Sequence, residues 1–143
     1  MALDIGDAWT GIAVTDASGS FARPETTVAT QNLEPFLMNT FSVESIKTII
    51  VGYPRTMKGG ESAQTLKTVA YKDHLAHSFP EKEFILWDER LSSKRAQALA
   101  AHKRSREEKL KEHARAAAFI LDSYLTFVRT REENSTLHID SNE

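Results

Sequence analysis

The sequence predicts an α/β domain, a mixed sheet with helices packed on it. Three observations point there. Strand-like runs come first and then alternate with helical patterns. Ile46 to Val51 is a short, continuously apolar, β-branched run of the kind that a sheet buries on both faces. An amphipathic stretch from about Glu107 to Val128 follows the last strand. Alternation of this type lays helices on a sheet within one domain.

In chain order, Leu3 with Ile5 and Ile12-Ala13-Val14 read as two short strands around Gly6–Gly11, a hairpin-like opening. Asp16-Ala17-Ser18-Gly19-Ser20 is a turn cluster, with Asp16 stabilising the turn. Thr26-Thr27-Val28-Ala29 suits a third strand, and Leu33, Phe36, Leu37 and Phe41 have helical spacing. The run Ile46–Val51 is ended by Gly52. Ser62 to Ser78 predicts a helix with Ala63, Leu66, Val69, Ala70 and Leu75 inward. Phe84-Ile85-Leu86-Trp87 is the next strand, followed at once by Asp88-Glu89-Arg90. Ser92 or Ser93 can cap a helix holding Ala96, Leu99 and Ala100. The stretch Glu107–Val128 places Leu110, Ala114, Ala117, Leu121 and Leu125 on one broad face. Past Arg129 the chain is polar and aperiodic. The expected organisation is a single domain over 1–128 and a disordered polar tail over 129–143.

Bulk properties exclude several function classes. The length of 143 residues suits one domain, and 41% hydrophobic with 27% charged residues is ordinary for a globular protein. With no cysteine, disulfides, thiolate zinc sites and cysteine nucleophiles are ruled out, which fits a reducing compartment. No run approaches the roughly 20 apolar residues of a membrane helix. Met1-Ala2-Leu3-Asp4 lacks a basic region and an apolar signal core, so a cytoplasmic location is expected. No P-loop, dinucleotide fingerprint, zinc spacing or Ser/His/Asp signature is present. The net charge of −2 does not mark the whole chain as a nucleic-acid binder. Its distribution does suggest a local surface. Lys94, Arg95, Lys103, Arg104, Arg106, Lys109, Lys111 and Arg115 face only Glu107, Glu108 and Glu112. Such a strip either attracts phosphates or is a solvated helix face.

Three polar residues occupy places where packing favours an apolar group. Asp4 interrupts the first strand and faces opposite to Leu3 and Ile5. Glu89 closes the strand that begins at Phe84. His113 lies one turn from Leu110 and from Ala116 and Ala117, on the sheet-facing side of its helix. Each has an ordinary alternative: a solvated carboxylate, a turn residue, a packed histidine.

Together with their surroundings they form a recognisable set. Leu3-Asp4-Ile5-Gly6 with Gly11-Ile12-Ala13-Val14-Thr15-Asp16 resembles the opening hairpin of the pre-16S rRNA nuclease family (YqgF/RuvX, related to Holliday-junction resolvases). Ile50-Val51-Gly52-Tyr53-Pro54, followed by Met57, Gly59 and Gly60, is similar to that family's second block. Trp87-Asp88-Glu89-Arg90-Leu91-Ser92 resembles its Asp-Glu-Arg motif, and Ala114 to Leu125 its C-terminal helix. The resemblance runs from about Leu3 to Phe127. It implies a ribonuclease H-like fold and a metal-dependent endonuclease of structured nucleic acid, in which Asp4 and Glu89 are metal-binding carboxylates. The expected cofactor is Mg²⁺ or Mn²⁺, because two-metal phosphodiester cleavage needs carboxylates converging from separate elements.

The third metal position departs from the family. Where relatives have an Asp before the alanine-rich stretch, this chain has His113. One negative charge fewer weakens Mg²⁺ binding, and imidazole tolerates Mn²⁺ better, so a preference for Mn²⁺ is expected. Related resolvases sometimes use a His near this position. Glu112 is rotated by about 100° and is no substitute. A second departure is Ala8-Trp9 in place of basic residues in the hairpin turn. Trp9 either stacks on a nucleobase, worth about 1–3 kcal/mol, or packs under the hairpin. Arg90 either contacts phosphate or bridges to a carboxylate, while Lys94, Arg95, Lys103, Arg104 and Arg106 are the expected phosphate-binding surface. Gly52, Gly59 and Gly60 either let a loop approach a phosphate backbone or simply form turns.

The expected substrate, from the resemblance alone, is structured RNA, namely precursor 16S rRNA near its 5′ end. Alternatives are resolution of branched DNA, or a non-catalytic RNA-binding ribosome-assembly factor in which His113 marks a decayed site. Either a monomer or a homodimer is compatible, and no membrane association is expected.

Overall fold

A computed structural model describes residues 1–54, 62–89 and 105–139. The strands are β1 (Ala2–Ile5), β2 (Trp9–Thr15), β3 (Ala22–Ala29), β4 (Thr48–Tyr53) and β5 (Glu83–Asp88). The helices among the described residues are α1 (Leu33–Val43), α2 (Ala63–Ser78) and α3 (Arg106–Ile139), with a 3₁₀ turn at Thr30–Asn32 before α1. The sheet order is β3-β2-β1-β4-β5. β1 pairs antiparallel with β2 and parallel with β4, and β5 continues parallel beside β4. This is the expected mixed five-stranded sheet flanked by helices.

Strand alternation sorts the side chains by size as well as polarity. Leu3, Ile5, Ile12, Ile49 and Val51 point to one face, where Leu33 and Leu37 of α1 and Leu75 of α2 bury them. Ala2, Ala13 and Ile50 point to the other, against Ala117, Ile120 and Leu121 of α3. Large residues on the first face keep α1 and α2 at side-chain distance. Small residues on the second let α3 settle onto the sheet. The closest approach is at Gly11, where an added Cβ would collide with the main chain of His113 and Ala114. Thr27 Oγ1 also donates to the Leu110 carbonyl, one turn earlier in α3.

From that point α3 crosses the sheet obliquely. Ile120 reaches Gly52 of β4, and Trp87 of β5 donates Nε1–H to Ser123 Oγ at 3.1 Å while its ring meets Tyr124 edge-on at 5.4 Å. On the other face, Ser62 and Thr65 form a reciprocal capping box at the start of α2. Glu34 of α1 and His74 of α2 meet at 2.8 Å. The turn expected around Asp16 is built as foreseen. Its carboxylate accepts from the Ser18 hydroxyl and from the Ser20 and Phe21 amides, which holds its titration below the usual carboxylate range.

Three boundaries differ from the sequence pattern. β3 begins at Ala22 rather than Thr26, because Pro24 is tolerated on an edge strand beside the register shift at Ile12/Ala13. Gly52 lies inside β4 rather than ending it. The polar stretch expected to be disordered from residue 129 is helical as far as Ile139. A helix continued into solvent needs no apolar stripe, and here Thr130, Ser135 and Thr136 bond back to the carbonyls of Thr126, Arg131 and Glu132. The helix expected after Ser92 or Ser93, with Ala96, Leu99 and Ala100, lies outside the described residues.

The contact at Gly11 yields a test. Gly11→Ala should lift α3 from the sheet and destabilise the fold by about 2 kcal/mol or more, read as a lower urea midpoint. Gly19, which has φ +70° and open space where a Cβ would stand, should respond to Ala by about 1 kcal/mol through backbone strain alone.

Candidate active site

One row across the sheet carries the polar residues singled out in the sequence. Asp4 sits in the middle, paired with Gly11 of β2, and the parallel register Leu3–Val51 puts Gly52 of β4 on its other side. Asp4 shares the alternation of Ala2 and so faces α3, the side with the small residues. Glu89 follows the end of β5, on the next strand out. Its side chain leans back over β4: a Cβ on Gly52 would lie 2.7 Å from Glu89 Oε1 and 3.2 Å from its Cγ. Gly52 is therefore the gap through which Glu89 reaches Asp4. It does not belong to a phosphate-approaching loop, the role considered for it above.

The two carboxyl groups meet in a hydrogen bond. Burial pushes Asp4 up, opposed by the bond to Glu89 and by the charge of His113. Burial, the Asp4 charge, the shared hydrogen bond and then Asp88 push Glu89 up to about 8. Both carboxyls are thus pushed towards their protonated forms, and the pair shares a proton across the hydrogen bond. Two buried carboxylates cannot both ionise cheaply at this separation without a cation between them.

His113 is half-buried on α3, at the helix position whose main chain rests on Gly11. It is near enough to Asp4 for its charge to favour the ionised carboxylate. Among the described residues, however, no group of three or more His, Asp or Glu side chains is already arranged around a metal position. The carboxyl pair is assembled, and His113 stands beside it.

The remaining sequence candidates divide. Trp9 opens β2, half-buried, and by alternation shares the face of Gly11 and Ala13, two residues from the Asp4 partner. Arg106 is exposed at the first turn of α3. Arg90, Lys94, Arg95, Lys103 and Arg104 lie outside the described residues, as do Met57, Gly59 and Gly60. Sequence reasoning missed Gly11 as a site residue, although a glycine inside a strand is a recognised mark of close approach by another segment.

The raised titration of Glu89 has a stability consequence. A carboxyl whose folded pKa lies above its unfolded value of 4.5 stabilises the fold fully below that value, and the contribution is lost as pH rises through about 8. In chelator, Glu89→Gln should remove this loss while keeping a donor to Asp4. The variant is expected to gain on wild type between pH 5 and pH 9, by on the order of 3 kcal/mol, in denaturant titrations.

Comparison with known proteins shows the family. The sequence model of the RuvX family, described as Holliday junction resolvase, matches residues 1–126. A protein of Rubrobacter xylanophilus is 36% identical over 124 residues, covering 87% of this chain and 89% of its own. One of Thermoanaerobacter pseudethanolicus is 33% identical over 132 residues, covering 87% and 94%. One of Phocaeicola vulgatus is 34% identical over 129 residues, covering 87% and 93%. All three carry the name "Putative pre-16S rRNA nuclease". With the family pattern spanning nearly all of the sheet and most of α3, this chain belongs to the RuvX family of Holliday junction resolvase-like nucleases.

Proposed function

We propose that this protein is a metal-dependent endonuclease that trims precursor 16S rRNA near its 5′ end. The observation that carries the chemistry is the buried Asp4–Glu89 pair, held in contact with a proton between them. The substrate rests on the names of the relatives. The donor set fits a hard divalent cation: two carboxylates from different strands, converging where like charges repel. When bound, Mg²⁺ or Mn²⁺ would activate water and stabilise charge on the attacking and leaving oxygens of the phosphodiester.

The chain's own residues divide the remaining work. Asp4 is fixed by the central strand and gives the site its rigid point. Glu89, reaching in from the sheet edge, must give up its proton to serve as a ligand, so metal affinity rises with pH up to about 8. His113 would supply an imidazole nitrogen in place of a third carboxylate, which favours Mn²⁺ over Mg²⁺. Arg106 at the head of α3, with Arg90, Lys94, Arg95, Lys103 and Arg104 from the same stretch of sequence, forms the phosphate-binding surface, and Trp9 contacts a base at the edge of the site. The working compartment is the cytoplasm, where the rRNA is made.

A second reading, cleavage of a four-way DNA junction, is favoured by the description of the matching family. It uses the same pair and differs in substrate, and a homodimer would be needed to cut two strands.

The deciding assay compares cleavage of a precursor 16S rRNA fragment and of a four-way DNA junction with Mn²⁺, Mg²⁺ or chelator. Wild type should cut the RNA, faster with Mn²⁺, and Asp4→Asn and Glu89→Gln should each abolish cleavage. Preferential cutting of the junction would replace rRNA maturation with resolution. No cleavage by folded protein with either metal, together with a large gain in His113→Asp, would mark a decayed site in a binding factor. Gly52→Ala keeps every ligand but crowds Glu89, and should lower kcat on the order of a hundredfold.

A further inference from the structure

The turn between β1 and β2, residues 6 to 9, leads directly from Asp4 to Trp9. A turn of this kind ordinarily closes on itself, and here Gly6 N–H donates to the Trp9 carbonyl at 3.0 Å. The structure adds a second set of bonds from outside the hairpin: Lys67 of α2 pairs with the exposed Asp7 at 3.4 Å, and Thr30 supplies the buried ones. Thr30, in the 3₁₀ turn before α1, donates its hydroxyl to the Gly6 carbonyl at 2.7 Å and its backbone N–H to the Ala8 carbonyl at 2.9 Å. The same hydroxyl meets that of Thr10 at 2.9 Å. Thr10 and Thr30 are both buried. The carbonyl of Thr30 in turn accepts from Tyr71 OH of α2 at 3.1 Å.

This is more bonding than a two-stranded turn needs in order to form. It pins both carbonyls that flank Asp7, ties the turn to a third segment and couples that segment to α2. Buried hydroxyls are costly unless satisfied, so the arrangement has one preferred geometry rather than several. What it holds in place is the face of β2 that carries Trp9, about 7 Å along the strand from Gly11, the partner of Asp4.

We propose that Thr30 is a positioning residue, one that holds the 6–9 turn in a preformed shape so that Trp9 meets the substrate strand beside the Asp4–Glu89 pair without having to be ordered on binding. A contact group immobilised in advance saves the ordering cost that a mobile turn would incur at the moment of binding. The effect belongs to substrate capture and leaves the reacting carboxyls untouched. The proposal rests on the nuclease reading for its substrate, but the rigidity of the turn can be read without it.

The test uses the full chain in a Trp87→Phe background, so that the remaining tryptophan fluorescence comes from Trp9. Thr30→Val removes the hydroxyl, Thr30→Ser keeps it, and Tyr71→Phe removes only the outer bond, which keeps the test open should the valine variant fold poorly. Thr30→Val is expected to lower the fluorescence anisotropy of Trp9 in the free protein and to raise KM about fivefold, the effect of about one hydrogen bond. The expected kcat stays within about twofold, since the carboxyl pair is intact. Thr30→Ser should restore both readouts, and Tyr71→Phe should shift them in the same direction by a smaller factor. Trp9 anisotropy unchanged in both Thr30→Val and Tyr71→Phe overturns the proposal. So does a loss confined to kcat, or a Thr30→Ser variant that behaves like Thr30→Val. If wild type cleaves neither substrate, the nuclease reading falls by itself, and the anisotropy of the free protein still decides the question of the turn.

Discussion

Everything on the face that carries Asp4 and Glu89 depends on how close α3 can come to the sheet. A helix normally rests on a sheet through intervening side chains. At Gly11 there is none, and the main chain of His113 and Ala114 occupies the space a Cβ would fill. That single contact fixes the height of the helix at one point. The oblique crossing then fixes the rest: Ile120 beside Gly52 two turns on, and Trp87 bonded to Ser123 at the far strand. Ala2, Ala13 and Ala117 line the path together with Ile50, Ile120 and Leu121. The site is the shallow space left along this path, where Asp4 stands between two glycines.

The two glycines flanking Asp4 serve different partners. Gly11 admits a backbone, whereas Gly52 admits side chains, those of Ile120 from α3 and of Glu89 arriving from the next strand. Only the second is adjustable, since the tip of a glutamate can move and a packed helix cannot. The pair thus combines a fixed carboxyl with a mobile one. It also stores unfavourable energy, because two acids placed together out of water must retain a proton between them. Strained, perturbed carboxyls of this kind are common at functional sites. Here the physical origin is visible in one hydrogen bond.

Much of this was legible in the sequence. The alternation Leu3-Asp4-Ile5 told which face Asp4 takes, and the β-branched run Ile46–Val51 told that β4 is buried on both sides. The apolar stripe of the last helix told which side of it meets the sheet. What the pattern did not carry was the reach of Glu89 over a neighbouring strand. Periodicity describes one element at a time, and this contact is made across two. The extension of α3 to Ile139 was hidden for a different reason: a solvated helix has no apolar period to detect. The role of Thr30 was hidden by its ordinariness, since a threonine before a helix reads as a cap, whereas its hydroxyl is spent on the opening hairpin.

The strand order has a consequence for the timing of function. β1 lies at the centre of the sheet, yet its parallel neighbour β4 comes more than forty residues later in the chain, after β2, β3 and α1. Such non-local pairing forms late in folding, after the loop-closure entropy has been met. Glu89 and α3 come later still. An emerging chain can therefore close its hairpins early but holds no paired carboxyls until Glu89 has been made. By this topology the carboxyl pair is absent from a nascent chain until all five strands have been made.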